Sequence, residues 1–194
     1  MRYTLVLLAL LTGAVHAQGP SALYIAPQIG ASMMDDADVD DPFITALGLD
    51  AELEMDAGAY LGIALGRDLY PSRGHPVRIE AVLMHRENDI DTITFTGPGG
   101  SATCEQGGIS CSGDVESNVL LANVWYDFNR EASLRPYIGG GIGFANVDGT
   151  LRVTDPITGV TETGSGDDNV IAYQIGAGVG YAFTERVMAA LDFR

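Results

Sequence analysis

The chain has 194 residues with 26 acidic side chains against 10 basic ones, all of them arginine, and a formal charge of -16 at pH 7. That length holds one domain, or two very small ones. So negative a surface repels phosphate backbones and argues against nucleic-acid binding, and 46% apolar residues in short runs argue against intrinsic disorder.

Residues 1–17 read as a secretory signal peptide. Arg2 precedes an apolar run from Leu5 to Leu11, and Val15-His16-Ala17 supplies compact side chains before a cut at Gln18. The run is too short to span a bilayer. A short buried helix is the competing reading, but nothing caps it. The predicted mature domain is therefore 18–194, and Cys104 and Cys111 enter an oxidising compartment with it. They stand seven positions apart in a Gly- and Ser-rich stretch. A small disulfide ring is expected there. A metal pair would need His or further Cys nearby, and the stretch has none.

From Ser21 onward the pattern is period two, the mark of strands with two unlike faces. In chain order, Leu23, Ile25, Ile29 and Met33 alternate with Tyr24, Gln28 and Gly30, and Ala59, Leu61, Ile63 and Leu65 alternate with Tyr60 and Gly62. Val77, Ile79, Ala81 and Leu83 stand opposite Arg78, Glu80, Met84 and Arg86. Leu120, Ala122, Val124, Tyr126 and Phe128 stand opposite Asn123, Trp125 and Asp127. Ile138, Ile142 and Phe144 face away from Tyr137 and the glycines 139, 141 and 143. The segment Ile171–Tyr181 sets Tyr173, Ile175, Val179 and Tyr181 against Gln174 and glycines, and a seventh segment begins at Val187, with Leu191 and Phe193 opposite Asp192 and Arg194.

The links alternate in length: long ones over 35–54, 87–116 and 148–169, short ones over 67–76, 129–134 and 183–186. The long links hold 19 of the 26 acids, and only Arg152 among the arginines. An up-and-down antiparallel sheet with long loops at one rim and tight turns at the other is the plan of a bacterial outer-membrane barrel. Its apolar face would then point at lipid. Tyr173 and Tyr181 lie eight residues apart on that face, roughly 20 Å in height at ~3.3 Å per residue and a tilt of about 40°. With Tyr126, Phe128 and Phe144 they make the expected lipid-facing girdles. The alternative is a soluble barrel or sandwich with this face packed inward. Its solvent face would then be largely Gly, Ala and Met, with too little charge for a soluble surface.

The run Arg135-Pro136-Tyr137-Ile138-Gly139-Gly140-Gly141-Ile142-Gly143, the segment Ala172–Tyr181 and Leu191-Asp192-Phe193-Arg194 resemble the fifth to seventh strands of small outer-membrane barrels of the OmpA and opacity-protein type. Asn123-Val124-Trp125-Tyr126-Asp127-Phe128 is similar to that family's fourth strand. The resemblance covers about 21–194. It implies an all-β, up-and-down transmembrane barrel of eight strands in a Gram-negative outer membrane, of which about seven are encoded. The chain stops at Arg194 inside the seventh, so the eighth strand and the aromatic C-terminal residue of that family are expected to be missing, as is a peptidoglycan-binding domain. Two strand edges would then lie unpaired in hydrocarbon, and the sequence reads as C-terminally incomplete. A competing account closes the barrel with a strand near 43–50, which would break the alternation of the links.

An eight-stranded barrel is just wide enough for side chains to fill. The inward polar set, Arg78, Glu80, Arg86, Asn123, Gln174, Asp192 and Arg194, with Tyr60 and Trp125, is read as a plug whose charges neutralise one another; a narrow ion path through Arg78, Glu80 and Arg86 is the alternative. A lipid-acyl enzyme would need nucleophile, base and acid within reach. His75 sits in a short turn, and His85, with Glu87 on its face, has no serine on its strand. No catalytic residue and no cofactor are assigned. Asp35-Asp36-Ala37-Asp38-Val39-Asp40-Asp41 lacks the Gly and Glu of a calcium loop, so a solvated acidic loop is expected, with weak divalent bridging to lipopolysaccharide as the alternative. The partners implied are the outer membrane with its lipopolysaccharide and a surface ligand at the acidic loops.

Overall fold

The computed structural model describes residues 8–16, 23–34, 37–38, 45–46, 48–184 and 187–194. Its strands are β1 (Leu8–His16), β2 (Leu23–Ser32), β3 (Ala37–Asp38), β4 (Asp50–Met55), β5 (Gly58–Asp68), β6 (Val77–Gly97), β7 (Gly100–Thr103), β8 (Ser110–Asp127), β9 (Leu134–Thr154), β10 (Thr161–Ala182) and β11 (Val187–Phe193). All pairings are antiparallel. They run round a ring in the order β6-β5-β2-β1-β11-β10-β9-β8, and β8 returns to β6 along Val77–Ile90. β10 meets β11 only over Ala177–Ala182. Among the described residues, its edge along Thr161–Gly176 pairs with β9 alone.

Seven strands, β2, β5, β6, β8, β9, β10 and β11, coincide with the seven alternating segments. They leave β2 and β11 pointing the same way, so an antiparallel ring needs one more strand between them. In the structure Leu8–His16 takes that position, with Val15 paired to both Val187 and Ile25. The eighth position was expected to lack a strand, and the apolar run assigned to the leader occupies it. The alternative closure near 43–50 is not formed: 43–44 lie outside the described residues, and β4 pairs with β6 between Ile90 and Thr96 rather than joining the ring.

The long links are the larger correction. β6, β9 and β10 run 21, 21 and 22 residues. Most of 87–116 and 148–169 is therefore strand, in unbroken register such as Glu116↔Asp148 and Asp148↔Asp167. Only 98–99 with 104–109, and 155–160, remain as turns. The extension encloses a second apolar core: Ile90, Ile93 and Cys104 are buried, with Leu53, Met55, Phe95, Ile109, Cys111, Val115 and Leu151 against them. Cys104, itself part of this core, is disulfide-bonded to Cys111.

At the opposite rim the turns are short. In 69–76 a single helical turn, Tyr70–Arg73, ends on Gly74 at φ 69°, a conformation that glycine accepts without steric cost. The small residues of the inner face have a packing reason. Gly66 is paired with Tyr24, and a Cβ there would stand 2.2 Å from the Tyr24 ring; Gly139 is paired with Trp125, and a Cβ there would stand 2.6 Å from the indole. Each ring lies over the bare backbone of its neighbour.

Candidate functional site

Period two makes every second residue of the ring point to the axis. The axis is full. Trp125 and Tyr60 are 1% and 0% exposed, whereas Ile175 and Tyr173 on the other face are 75% and 68% exposed. Tyr126 and Phe128 stack edge to face on the outer side near the short turns, as do Tyr181 and Phe183. Phe144 and Tyr173 stand on the same side toward the far rim, both exposed.

The lower lumen is an ionic network. Arg78 Nε lies 3.0 and 2.9 Å from the two carboxylate oxygens of Asp127, and its Nη1 donates to Glu80 at 3.2 Å. Glu80 also accepts from Tyr24 Oη at 2.5 Å and from Trp125 Nε1 at 2.8 Å. Arg130 spans two strand ends, donating to Asp127 at 2.8 Å and to Asp68. Asp192 accepts from Tyr137 Oη at 2.7 Å and Arg194 at 3.1 Å, and Arg194 also donates to Gln28, which Tyr60 caps. Arg194 stacks 5.1 Å over Trp125 and Arg78 4.8 Å over Tyr137. Such cation–ring contacts recover part of the cost of removing a guanidinium from water. Gln174 donates to Asn123 at 2.8 Å.

Ala26, Ala64, Val82, Met84, Val119 and Leu121 pack in the lumen as one apolar cluster that also holds Tyr24, Tyr60, Ala145 and Met188. Arg86 lies beside Met84 Sδ at 3.5 Å, with no carboxylate partner among the described residues. The void among Gln28, Arg78, Glu80, Tyr137, Asp192 and Arg194 is about one water molecule in size.

The structure thus brings together Arg78 with Glu80, Asn123 with Gln174, and Asp192 with Arg194, and leaves Arg86 apart. Tyr24, Gln28, Asp127 and Tyr137 also enter the network, and all four lie on the small, polar face of the alternation. Asp68 continues that face into what reads as a turn. Arg130 carries no periodic signal, and only the fold places it. His85 Nδ1 meets Asn118 Oδ1 at 3.0 Å on the outer side, and His75 is exposed in its turn. Of the acidic run 35–41, all but Ala37 and Asp38 lies outside the described residues. In the turn between β9 and β10, Asp155 accepts the amides of Ile157 and Thr158, which hold its carboxyl below the usual value, the Ile157 amide most strongly.

An up-and-down wall of strands, bulky and apolar outside, polar and filled within, defines a β-barrel of the outer-membrane class. Residues 3–194 match the sequence model of the outer membrane protein beta-barrel domain family, and the chain belongs to that family. Outer membrane protein PagN of Salmonella typhimurium strain LT2 is 30% identical over 138 residues, which cover 69% of this chain and 54% of that protein. The match thus spans about half the length of that relative. Two solved structures are similar in outline. The major outer membrane protein from Thermus thermophilus has a TM-score of 0.44 at 15% identity, covering 97% of this chain and 100% of that one. The ferric yersiniabactin uptake receptor FyuA of Yersinia pestis has a TM-score of 0.39 at 8% identity, covering 91% and 26%. The chain is located in the outer membrane of a Gram-negative bacterium.

Proposed function

We propose that the protein is a structural and surface-interaction barrel with a closed lumen, its girdles at Tyr126, Phe128, Phe144, Tyr173 and Tyr181 held by lipid and lipopolysaccharide, and its acidic sheet presented to a ligand outside the cell. One observation carries this reading: buried ion pairs fill the lower lumen and leave a void about one water molecule in size. Four acids, Asp68, Glu80, Asp127 and Asp192, stand with the bound arginines Arg78, Arg130 and Arg194. An ion would have to break that network to pass. Planar-bilayer recording tests this directly, and a large, stable conductance would overturn the closed lumen.

The non-enzymatic reading has its own support. His85 lies on the outer side of the wall, and Ser117, paired with Arg86, lies on the inner side. An acyl-transfer centre needs such groups within hydrogen-bond reach. Spin labels at Ile175 and Val179 test the facing of the wall: quenching by lipid-dissolved oxygen supports it, and quenching by a water-soluble agent alone reverses it.

A further inference from the structure

Arg67 is a guanidinium out of place. It lies on the outer side of β5, one residue from the strand's short-turn end, paired with Leu23 of β2 and Ile79 of β6. Both flanking side chains are exposed, at 49% and 44%. The neighbouring acid, Asp68, faces the other way and is held by Arg130. Arg67 forms no ion pair among the described residues, and its Nε is buried without a hydrogen-bond partner.

Its height in the wall fixes what can reach it. Tyr126, Phe128, Tyr181 and Phe183 mark the same rim, so Arg67 stands at the lower boundary of the apolar band. An arginine there lays its stem along hydrocarbon and turns its head group to the interface. A polymer in the aqueous periplasm meets the turn below, with Arg73 and His75, before it meets Arg67. The opposite rim repels anions, since the outer side carries the in-register row Glu87, Glu116, Asp148 and Asp167.

Resting on the lipid-facing assignment above, we propose that Arg67 binds the phosphate of an anionic glycerophospholipid in the inner leaflet, a headgroup site between β2 and β6. The planar guanidinium suits a phosphate through paired N–H donors. Leu23 and Ile79 would flank the upper acyl carbons of the same lipid.

The test reconstitutes the full chain in phosphatidylcholine vesicles containing a trace of spin-labelled phosphatidylglycerol or spin-labelled phosphatidylcholine, and measures the motionally restricted fraction of each. The expected result is a preference for phosphatidylglycerol of about five-fold, the scale of one arginine at an anionic interface. It falls to near unity in Arg67→Gln and Arg67→Met and survives in Arg67→Lys. Inorganic phosphate, compared with chloride at equal ionic strength, leaves the preference in place; displacement by it overturns the lipid site in favour of a free-phosphate one. A wild-type barrel without preference overturns the proposal with no variant needed, as does a preference that survives both neutral replacements. Restricted phosphatidylcholine serves as the separate control. Its absence sinks the lipid-facing assignment itself, whereas its presence without selectivity sinks only the headgroup site.

Discussion

Arg78 and Asp127, 49 positions apart in the chain, meet with both carboxylate oxygens about Nε, and their side chains are 6% and 2% exposed. Asp127 also holds Arg130, so Asp127→Ala would take one of two carboxylate partners from each of two buried cations, leaving Arg78 with Glu80 and Arg130 with Asp68. The expected loss is about 3–5 kcal/mol, read as a lower urea midpoint for the heat-modifiable band in vesicles. Arg152→Ala breaks the exposed pair with Asp114, 49% and 31% exposed, and should shift the midpoint by less than about 1 kcal/mol. Equal effects from the two variants would contradict the buried network.

Trp125 is the chain's one tryptophan, so its emission reports on the lumen alone. A methyl group at Gly139 meets the Val124 carbonyl at 2.2 Å and the indole at 2.6 Å. Gly139→Ala should therefore displace the ring from Glu80, red-shift its emission and cost about 1–3 kcal/mol. Gly149→Ala, where a Cβ meets nothing within 4 Å, should leave the spectrum unchanged.

The disulfide staples a hairpin outside the band rather than the barrel itself. Cys104→Ser with Cys111→Ser should speed proteolytic nicking within 98–109 several-fold while the heat-shifted migration of the barrel persists. Loss of that migration would mean the hairpin is needed for the whole fold.

Asp155 offers a local pH response. Two amides stabilise its ionised form, so the turn 155–160 gains from the carboxylate above the ordinary Asp range and loses that gain as pH falls through the lowered value. Amide exchange at Ile157 and Thr158, corrected for intrinsic rates, should quicken on that acid limb and become independent of pH there in Asp155→Ala. A flat profile in the wild type would remove the assignment.

We propose that residues 1–17 are removed on export. The intact mass of protein taken from outer membranes should then begin at Gln18. A mass retaining 1–17 would make β1 a permanent member of the wall.

Period two marks the two faces of the segments from Leu23 to Phe193, because one face is bulky and exposed while the other is buried, with rings over glycine at Gly66 and Gly139. The upward extension was hidden for a local reason. Asp91 is an extra residue on β6 where the register shifts opposite Glu54 and Met55, so Ile90 and Ile93 both turn inward and the alternation slips by one. Gly, Ser, Asp and Thr beyond it carry the composition of loops while their backbone stays in the ladder. Arg130 was illegible for a different reason: its partners are 62 and 3 positions away, and nothing in a turn of Asn, Arg, Glu and Ala marks which side chain will fold under the barrel.

The ordered sheet above the band also bears on immunity. Antibodies that neutralise such a surface must recognise side chains from β6, β8, β9 and β10 at once, so linear peptides copied from 87–116 or 148–169 should make poor vaccines. Antigenic drift would be least free where the sheet covers Ile90, Ile93, Val115 and Leu151, and freest along 161–170, where both faces of β10 are exposed.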